Sequence, residues 1–371
     1  MKRSRSSRRE FLQGRSVLKA IQDSLEPRSA KPPFESSDHP DQTDGGSQRQ
    51  SNYLEQYSQN AMACEFELLF NLQQYPQAAQ MALRAHEIIA QLEAQLSIYR
   101  PDSELSEINR SALQQPLAIE SRLLELLELA KEISESTGGA FDVTANPLSK
   151  LWGFDARAGN LPSPEDIAKT LDCIGSKFIE VNHPQSTVRI TNPQTQIDLG
   201  GIGKGHALDR VAELFEESEI NDWILHGGQS SVIARGHCLR ANDDSDGWRV
   251  GLTHPTIPGK RLAEVILRDQ TLGTSGTARQ GFFHQGVRYG HIIDPRTGWP
   301  TTHCLSTTVI ARSAAVSDAL ATAFFVMATD EVEAYCKNNL DVSAILILPG
   351  KSSGNTEIVW FNLEEGDWIR Y

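Results

Sequence analysis

Apolar and polar positions along this chain fall into stretches of two periods, and each period predicts an element. "CEFELLFN" (Cys64–Asn71) alternates as a strand does, and ordered structure is expected to start near Gln59. From about Gln77 to Leu96, Met81, Ala85, Ile88, Ile89, Leu92 and Leu96 recur at helical spacing. A second helix is expected to start at Ser121, a good N-cap, and to stop at Gly138 and Gly139. "KFIEVNHPQSTVRITN" reads as a hairpin turning around His183 to Ser186. "GKGHALDRVAELFEE" is a helix that turns Ala207, Leu208, Val211, Leu214 and Phe215 inward. "WILHGG", "SSVIARG", "WRVGLTH", "STTVIARS" and "SAILILPG" are strand-like. Strands follow one another with helices placed irregularly, which predicts an α+β fold of mainly antiparallel sheets.

One helix breaks its own pattern. "SAAVSDALATAFFVMA" (Ser313–Ala328) is apolar except for Asp318 and, one turn on, Thr322. Residues four apart share a helical face, so carboxylate and hydroxyl project together. A buried carboxylate must be compensated by an ion pair or by a metal. Thr322 has a purely structural alternative, a bond back to the carbonyl four residues earlier.

Composition narrows the classes. The chain has 371 residues, 39% hydrophobic and 22% charged, which is globular. A net charge of −13 argues against a nucleic-acid binder. No run approaches the roughly 18 to 20 apolar residues of a membrane span. Cys64, Cys173, Cys238, Cys304 and Cys336 are scattered and form no C-x-x-C pair, so neither a zinc site nor a disulfide framework is expected.

The amino-terminal end stands apart, and the division expected is a basic tail and polar linker over 1–50 and one domain over 51–371. Residues 1–31 hold nine Lys or Arg against three acidic residues, a local +6, so the remainder carries −19. A Pro/Gly/Ser-rich stretch follows that cannot bury enough apolar surface to fold. "SRREFLQG" (Ser7–Gly14) resembles a twin-arginine export signal. Lys19, Asp23 and Glu26 interrupt the apolar segment such a signal needs, so a cytoplasmic location is expected ahead of export.

Several glycine-rich or polar stretches could carry chemistry. "IDLGGIGKGHALDR" (Ile197–Arg210) places four glycines and Lys204 between an expected strand and a helix. It offers close backbone approach and a helix start to an anion, yet matches neither a Walker A loop nor G-x-G-x-x-G. "YGHIIDPRTGWP" (Tyr289–Pro300) gathers His291, Asp294 and Arg296 about a turn. "TSGTAR" (Thr274–Arg279) and "HGGQSS" (His226–Ser231) read as turns or as loops approaching a ligand. In "GGAFDVTANPLSKLWGF", Asp142 precedes Trp152 and Phe154, which read as core. No Cys/His pair, H-E-x-x-H or G-x-S-x-G motif supports nucleophilic hydrolase chemistry.

Together with "LSIYRPDSELSEINR", "LHGGQSS", "TSG", "HIIDPRTG" and "SDALATAFFVMA", these blocks occur in one order. From about Asn60 to Pro349 that order resembles the FAD:protein FMN transferases, the ApbE flavin transferase family. The resemblance implies a T-fold-like α+β architecture, with mainly antiparallel sheets and packed helices around a central FAD cleft. It implies Mg²⁺-dependent cleavage of FAD, with the FMN half moved to a Thr or Ser hydroxyl of an acceptor protein and AMP released. The alternatives are an Mg²⁺-dependent FAD pyrophosphatase and a non-catalytic FAD-binding relative.

Residue by residue, the resemblance implies that Asp318, Thr322 and the carbonyl of Gly201 hold Mg²⁺. It implies that Met62, Tyr99, Ala140, Phe141, Asp142, Asp198, Lys204 and Ile292 line the FAD site. His291 and Asp318 are the catalytic candidates, His291 because an unperturbed pKa of about 6.5 suits proton transfer. Cys64 stands where many relatives carry Thr, and Gln229 where an acidic residue is common. The family's acceptor motif, an Asp, small residues and Ser/Thr-Gly-Ala-Ser/Thr, has no match in the chain. The expected partner is therefore another protein that carries such a flavinylation motif.

Overall fold

A computed structural model of the chain describes residues 54–239, 246–277, 281–350 and 355–371. The expectations for the basic tail, its twin-arginine-like motif and Arg279 lie outside these residues. The first strand, β1 (Leu54–Ala61), begins earlier than Gln59 because it pairs along its whole length with β2 (Cys64–Asn71). Helices α1 (Ala78–Leu96), α2 (Glu104–Ser111) and α3 (Ser121–Ser136) follow, with the short β3 (Leu117–Ala118) before α3. The residue capping α3 is Glu120 rather than Ser121: its carboxylate accepts the Leu123 N–H at 3.0 Å. Gly138 and Gly139 end this region at positive φ, as expected of a helix stop.

Next come α4 (Asn146–Leu151), α5 (Pro164–Leu171), and the hairpin β4 (Ile179–Asn182) and β5 (Thr187–Ile190). Its turn at His183–Gln185 closes on left-handed Ser186, where the sequence placed it. The long helix α6 (Gly203–Glu217) follows, and all five positions expected inside are buried. No strand precedes it. Residues 195–199 are irregular, fixed instead by bonds such as Asp198 N–H to the Val143 carbonyl at 2.8 Å.

The rest is mostly strand: β6 (Trp223–Gly227), β7 (Ser231–Arg235), β8 (Trp248–Thr253), β9 (Arg261–Leu267) and β10 (Thr271–Gly276). After these come the hairpin β11 (Gly281–His284) and β12 (Val287–Gly290), then β13 (Ser306–Ala311). Helices α7 (Ala314–Val326) and α8 (Thr329–Asn338) precede β14 (Ser343–Pro349), β15 (Thr356–Phe361) and β16 (Trp368–Arg370). The "TSG" stretch, read as a loop, is the end of β10, whose Thr274–Gly276 pair with β13.

Every pairing between these strands is antiparallel. Eight strands form one sheet in the order β1-β2-β6-β7-β10-β13-β14-β15. Alternation gives that sheet two apolar faces. Phe66, Leu68, Leu225, Ile233 and Val309 join α1, α6 and α7 in the main core. Their neighbours Ile224, Val232, Leu272 and Ile310 pack with the small sheet of β8, β9 and β16. The chain is thus an α+β fold in which the large sheet separates a helical layer from a second sheet.

No disulfide joins the five cysteines; four are buried and Cys64 is half-buried. Among the described residues no helix is long and apolar enough to cross a membrane.

Candidate active site

Helix α7 carries Asp318 to the wall of a cavity of about 780 Å³ because several local devices fix its start and its depth. Asp209 on α6 accepts the Ala314 and Ala315 N–H groups at 2.8 and 2.9 Å and the Ser313 hydroxyl at 2.8 Å. A carboxylate on the free N–H groups of a helix start fits their positive end. The two helices then touch closely. A Cβ at Gly205 would collide with the Ala314 carbonyl, so only glycine allows this approach.

That approach brings the Gly205 N–H within 2.8 Å of Asp318 Oδ2. Ser231 Oγ donates to the same oxygen at 2.9 Å, and Lys204 Nζ lies 3.9 Å from it. Burial raises the Asp318 pKa, while Lys204, Ser231 and Gly205 pull it back toward the charged form. All these contacts reach Oδ2; among the described residues Oδ1 has no hydrogen-bond partner. One turn on, Thr322 Oγ1 lies 3.1 Å from Ser275 Oγ and 3.4 Å from the Asp318 carbonyl. A Cβ on Gly201 would stand 3.8 Å from Thr322 Oγ1, which puts the loop beside the pair.

These donors suit a hard cation, which takes carboxylate, hydroxyl and carbonyl oxygens and keeps some water. An oxygen of Asp318 left unused by the protein, with Thr322 and the Gly201 backbone adjacent, fits that requirement. Among the described residues no cluster of three or more His, Cys, Asp or Glu is suited to a metal. Asp318, Thr322 and the Gly201 backbone offer oxygen donors alone, the set that suits a hard cation rather than a soft one.

Ten of the twelve residues singled out in the sequence line this cavity: Ala140, Phe141, Asp142, Asp198, Gly201, Lys204, His291, Ile292, Asp318 and Thr322. Met62 and Tyr99 are not among the lining residues. Met62, at φ 48°, donates its N–H to Glu93 at 2.8 Å, and Tyr99 is 76% exposed. Asp142 borders the cavity with its carboxylate already engaged. Its Oδ1 accepts from the Thr144 N–H and hydroxyl at 2.8 and 2.6 Å, and its Oδ2 from Ser134 and Ser176 at 3.0 and 2.8 Å. It holds the 140–146 turn against 176. Asp198 accepts the Gly200 N–H at 2.8 Å, and burial above all raises its pKa.

The "HIIDPRTG" group separates. His291 faces the cavity, whereas Asp294 and Arg296 pair with each other at 3.0 Å, and Arg296 reaches Glu331 at 3.1 Å. Trp152 and Phe154 are buried, and Trp152 Nε1 donates to the Gly298 carbonyl at 2.9 Å.

Other lining groups carried no assigned role in the sequence. Ser275, inside "TSG", lines the cavity, while Ser231, inside "HGGQSS", lies behind it and acts through its bond to Asp318. Val250 and Leu252 come from β8 and His254 from the residue just after it, which the large sheet meets only through the fold. His226 Nε2 meets Glu67 at 2.9 Å; burial favours its neutral form against the raising effect of Glu67 and Glu65.

Comparison with known proteins agrees with this architecture. Residues 62–346 match the model of the ApbE family. The chain is 33% identical over 268 residues to the FAD:protein FMN transferase of Haemophilus influenzae, covering 70% of this chain and 76% of that protein. It is 32% identical over 256 residues to the enzyme of the same name from Vibrio cholerae, covering 68% and 75%. Among solved structures, the ApbE protein of Thermotoga maritima superposes with a TM-score of 0.72 at 27% identity, covering 82% of this chain and 96% of that one. The flavin transferase ApbE from Vibrio cholerae gives 0.72 at 27%, covering 83% and 97%. The chain belongs to the ApbE family.

Proposed function

We propose that this chain is an FAD:protein FMN transferase that moves the FMN half of FAD to a Thr or Ser hydroxyl of an acceptor protein, with Mg²⁺ required and AMP released. The observation that carries the reading is the Asp318 arrangement in a chain whose relatives bear that name: one carboxylate oxygen secured by three groups, the other unused beside Thr322.

Asp318, Thr322 and the Gly201 carbonyl would hold Mg²⁺, which supplies positive charge and Lewis-acid polarisation at a pyrophosphate. Lys204 adds a cation on the same side. Phe141, Ala140 and Ile292 give the cavity apolar wall against which flavin or adenine rings exclude water. Asp142 keeps that wall in place, and Asp198 borders it; Met62 and Tyr99 are assigned to FAD by family resemblance alone.

In the transfer, the acceptor oxygen bonds to the phosphorus on the FMN side. The bond from that phosphorus to the bridging oxygen breaks, and AMP leaves with the electron pair. His291 takes the hydroxyl proton as the new bond forms, the role suited to an imidazole at the cavity wall.

Chromatography of AMP and FMN tests this, with FAD and Mg²⁺, with and without a domain carrying the acceptor motif. Covalent flavin on the domain with matching AMP supports transfer. Equal FMN and AMP without acceptor means a pyrophosphatase, and bound FAD with no AMP means a flavin-binding relative.

A further inference from the structure

His291 lines a second recess as well as the large cavity. This recess, about 560 Å³, is walled by Ala63, Gly153, Phe154, Arg157, Gly159 and Phe282. Apart from His291 the two share no lining residue. The recess is built in detail. Phe282 packs against Phe154 and Trp152, with ring centroids 5.7 and 6.4 Å apart. A Cβ on Gly159 would stand 2.5 Å from Phe282 Cγ, and Gly159 lies at φ 62°, so glycine is required for the ring to seat.

Two features say what fits. The strand β11, whose Gly281 and Phe282 wall the recess, pairs only with β12 among the described residues, and a strand of such a two-stranded ribbon is the kind of edge an extended segment joins. Arg157 is exposed at φ 52°, and among the described residues its guanidinium makes no hydrogen bond or ion pair. Asp155, two residues earlier, is held by Ser149 Oγ at 3.1 Å instead. An unpaired cation on the rim, in a chain of net charge −13, is complementary to a carboxylate that the acidic surface would otherwise repel.

We propose that this recess docks the acceptor polypeptide: an extended segment with an acidic side chain at Arg157, aliphatic or small residues against Phe154 and Phe282, and its hydroxyl directed toward His291. The inference rests on the flavin-transfer reading. It adds that nucleotide and acceptor enter by separate openings that meet at one histidine.

The test uses a fluorescently labelled peptide carrying the acceptor motif and a second peptide with its Asp replaced by Asn. Anisotropy with the full chain, in the presence of FAD and with divalent cations removed, reads binding without turnover. The expected result is that Arg157→Glu weakens the Asp peptide at least tenfold and the Asn peptide little. Arg157→Lys recovers most of the loss, and FAD affinity by flavin fluorescence stays within twofold. The non-additivity of the two changes identifies direct contact. Equal binding of both peptides, no peptide binding by the native chain, or a loss in Arg157→Glu that is the same for both peptides overturns the docking site. Peptide binding of the expected pattern, with no covalent flavin on the peptide once Mg²⁺ is added, contradicts the transfer reading and leaves the docking site standing.

Discussion

Ser231 Oγ donates a 2.9 Å hydrogen bond to Asp318 Oδ2 across 87 residues of sequence, joining the start of β7 to the middle of α7. With the Gly205 N–H on the same oxygen, it fixes which carboxylate oxygen is spent on the fold and which faces the cavity. Ser231→Ala removes one donor from a buried charge, at a cost of about 1–3 kcal/mol in the metal-free protein. Asp318→Asn keeps the shape and removes the charge. Its turnover is expected to fall by about 10²-fold or more, with FAD still bound. Steady-state AMP release and flavin fluorescence titration of both variants check this.

Gly205→Ala tests the approach of α6 to α7. The added methyl meets the Ala314 carbonyl, which is backbone and cannot swing aside. Overpacking of this kind costs about 1–3 kcal/mol, and the separation of the helices also moves the Gly205 N–H from Asp318. A lowered melting temperature with a further loss of activity is expected. An unchanged melting temperature contradicts the packing described.

Asp142→Ala removes the acceptor of four hydrogen bonds, two from Thr144 within the 140–146 turn and two that tie the turn to Ser134 and Ser176. Leaving several buried donors unmatched costs about 2–4 kcal/mol. Because Ala140 and Phe141 belong to the same turn, FAD affinity should fall with stability. Hydrogen exchange of 140–146 alongside FAD titration separates this from loss of a direct ligand, which would leave exchange unaltered.

His86 on α1 gives a pH dependence remote from the cavity. It is 5% exposed, its Nε2 has no hydrogen-bond partner among the described residues, and burial lowers its pKa from 6.5 to about 4. The fold therefore favours neutral imidazole. This contribution is complete above about pH 6.5 and is lost as pH falls toward 4, up to about 3 kcal/mol. Denaturant melts between pH 7 and 4 should show it, and His86→Gln should flatten that part of the profile.

What could be read from the chain depended on distance. The segments "CEFELLFN" and "GKGHALDRVAELFEE" became β2 and α6 because their apolar period matches the face each gives the main core, and the apolar run of "STTVIARS" became β13, buried on both faces. The Asp318–Thr322 pair was legible because four-residue spacing needs no tertiary knowledge. The strand expected at Ile197 was not formed, since tertiary bonds to Val143 and Asn109 replaced a ladder. Ser231 gave no local signal at all. Its meaning exists only once β7 and α7 are side by side. Likewise Asp294 and Arg296, adjacent to His291 in sequence, satisfy each other instead of the cavity.

The proposed flavin transfer runs through the Asp318 wall. Intact-mass spectrometry of an acceptor domain, incubated with FAD and the full chain, tests it most directly. With Mg²⁺ the native chain is predicted to add the mass of FMN less one water to the domain. Omitting Mg²⁺, or substituting Asp318→Asn, should leave the domain at its starting mass. The same gain in mass from the Asp318→Asn chain, or from the native chain stripped of divalent cations, would contradict the account.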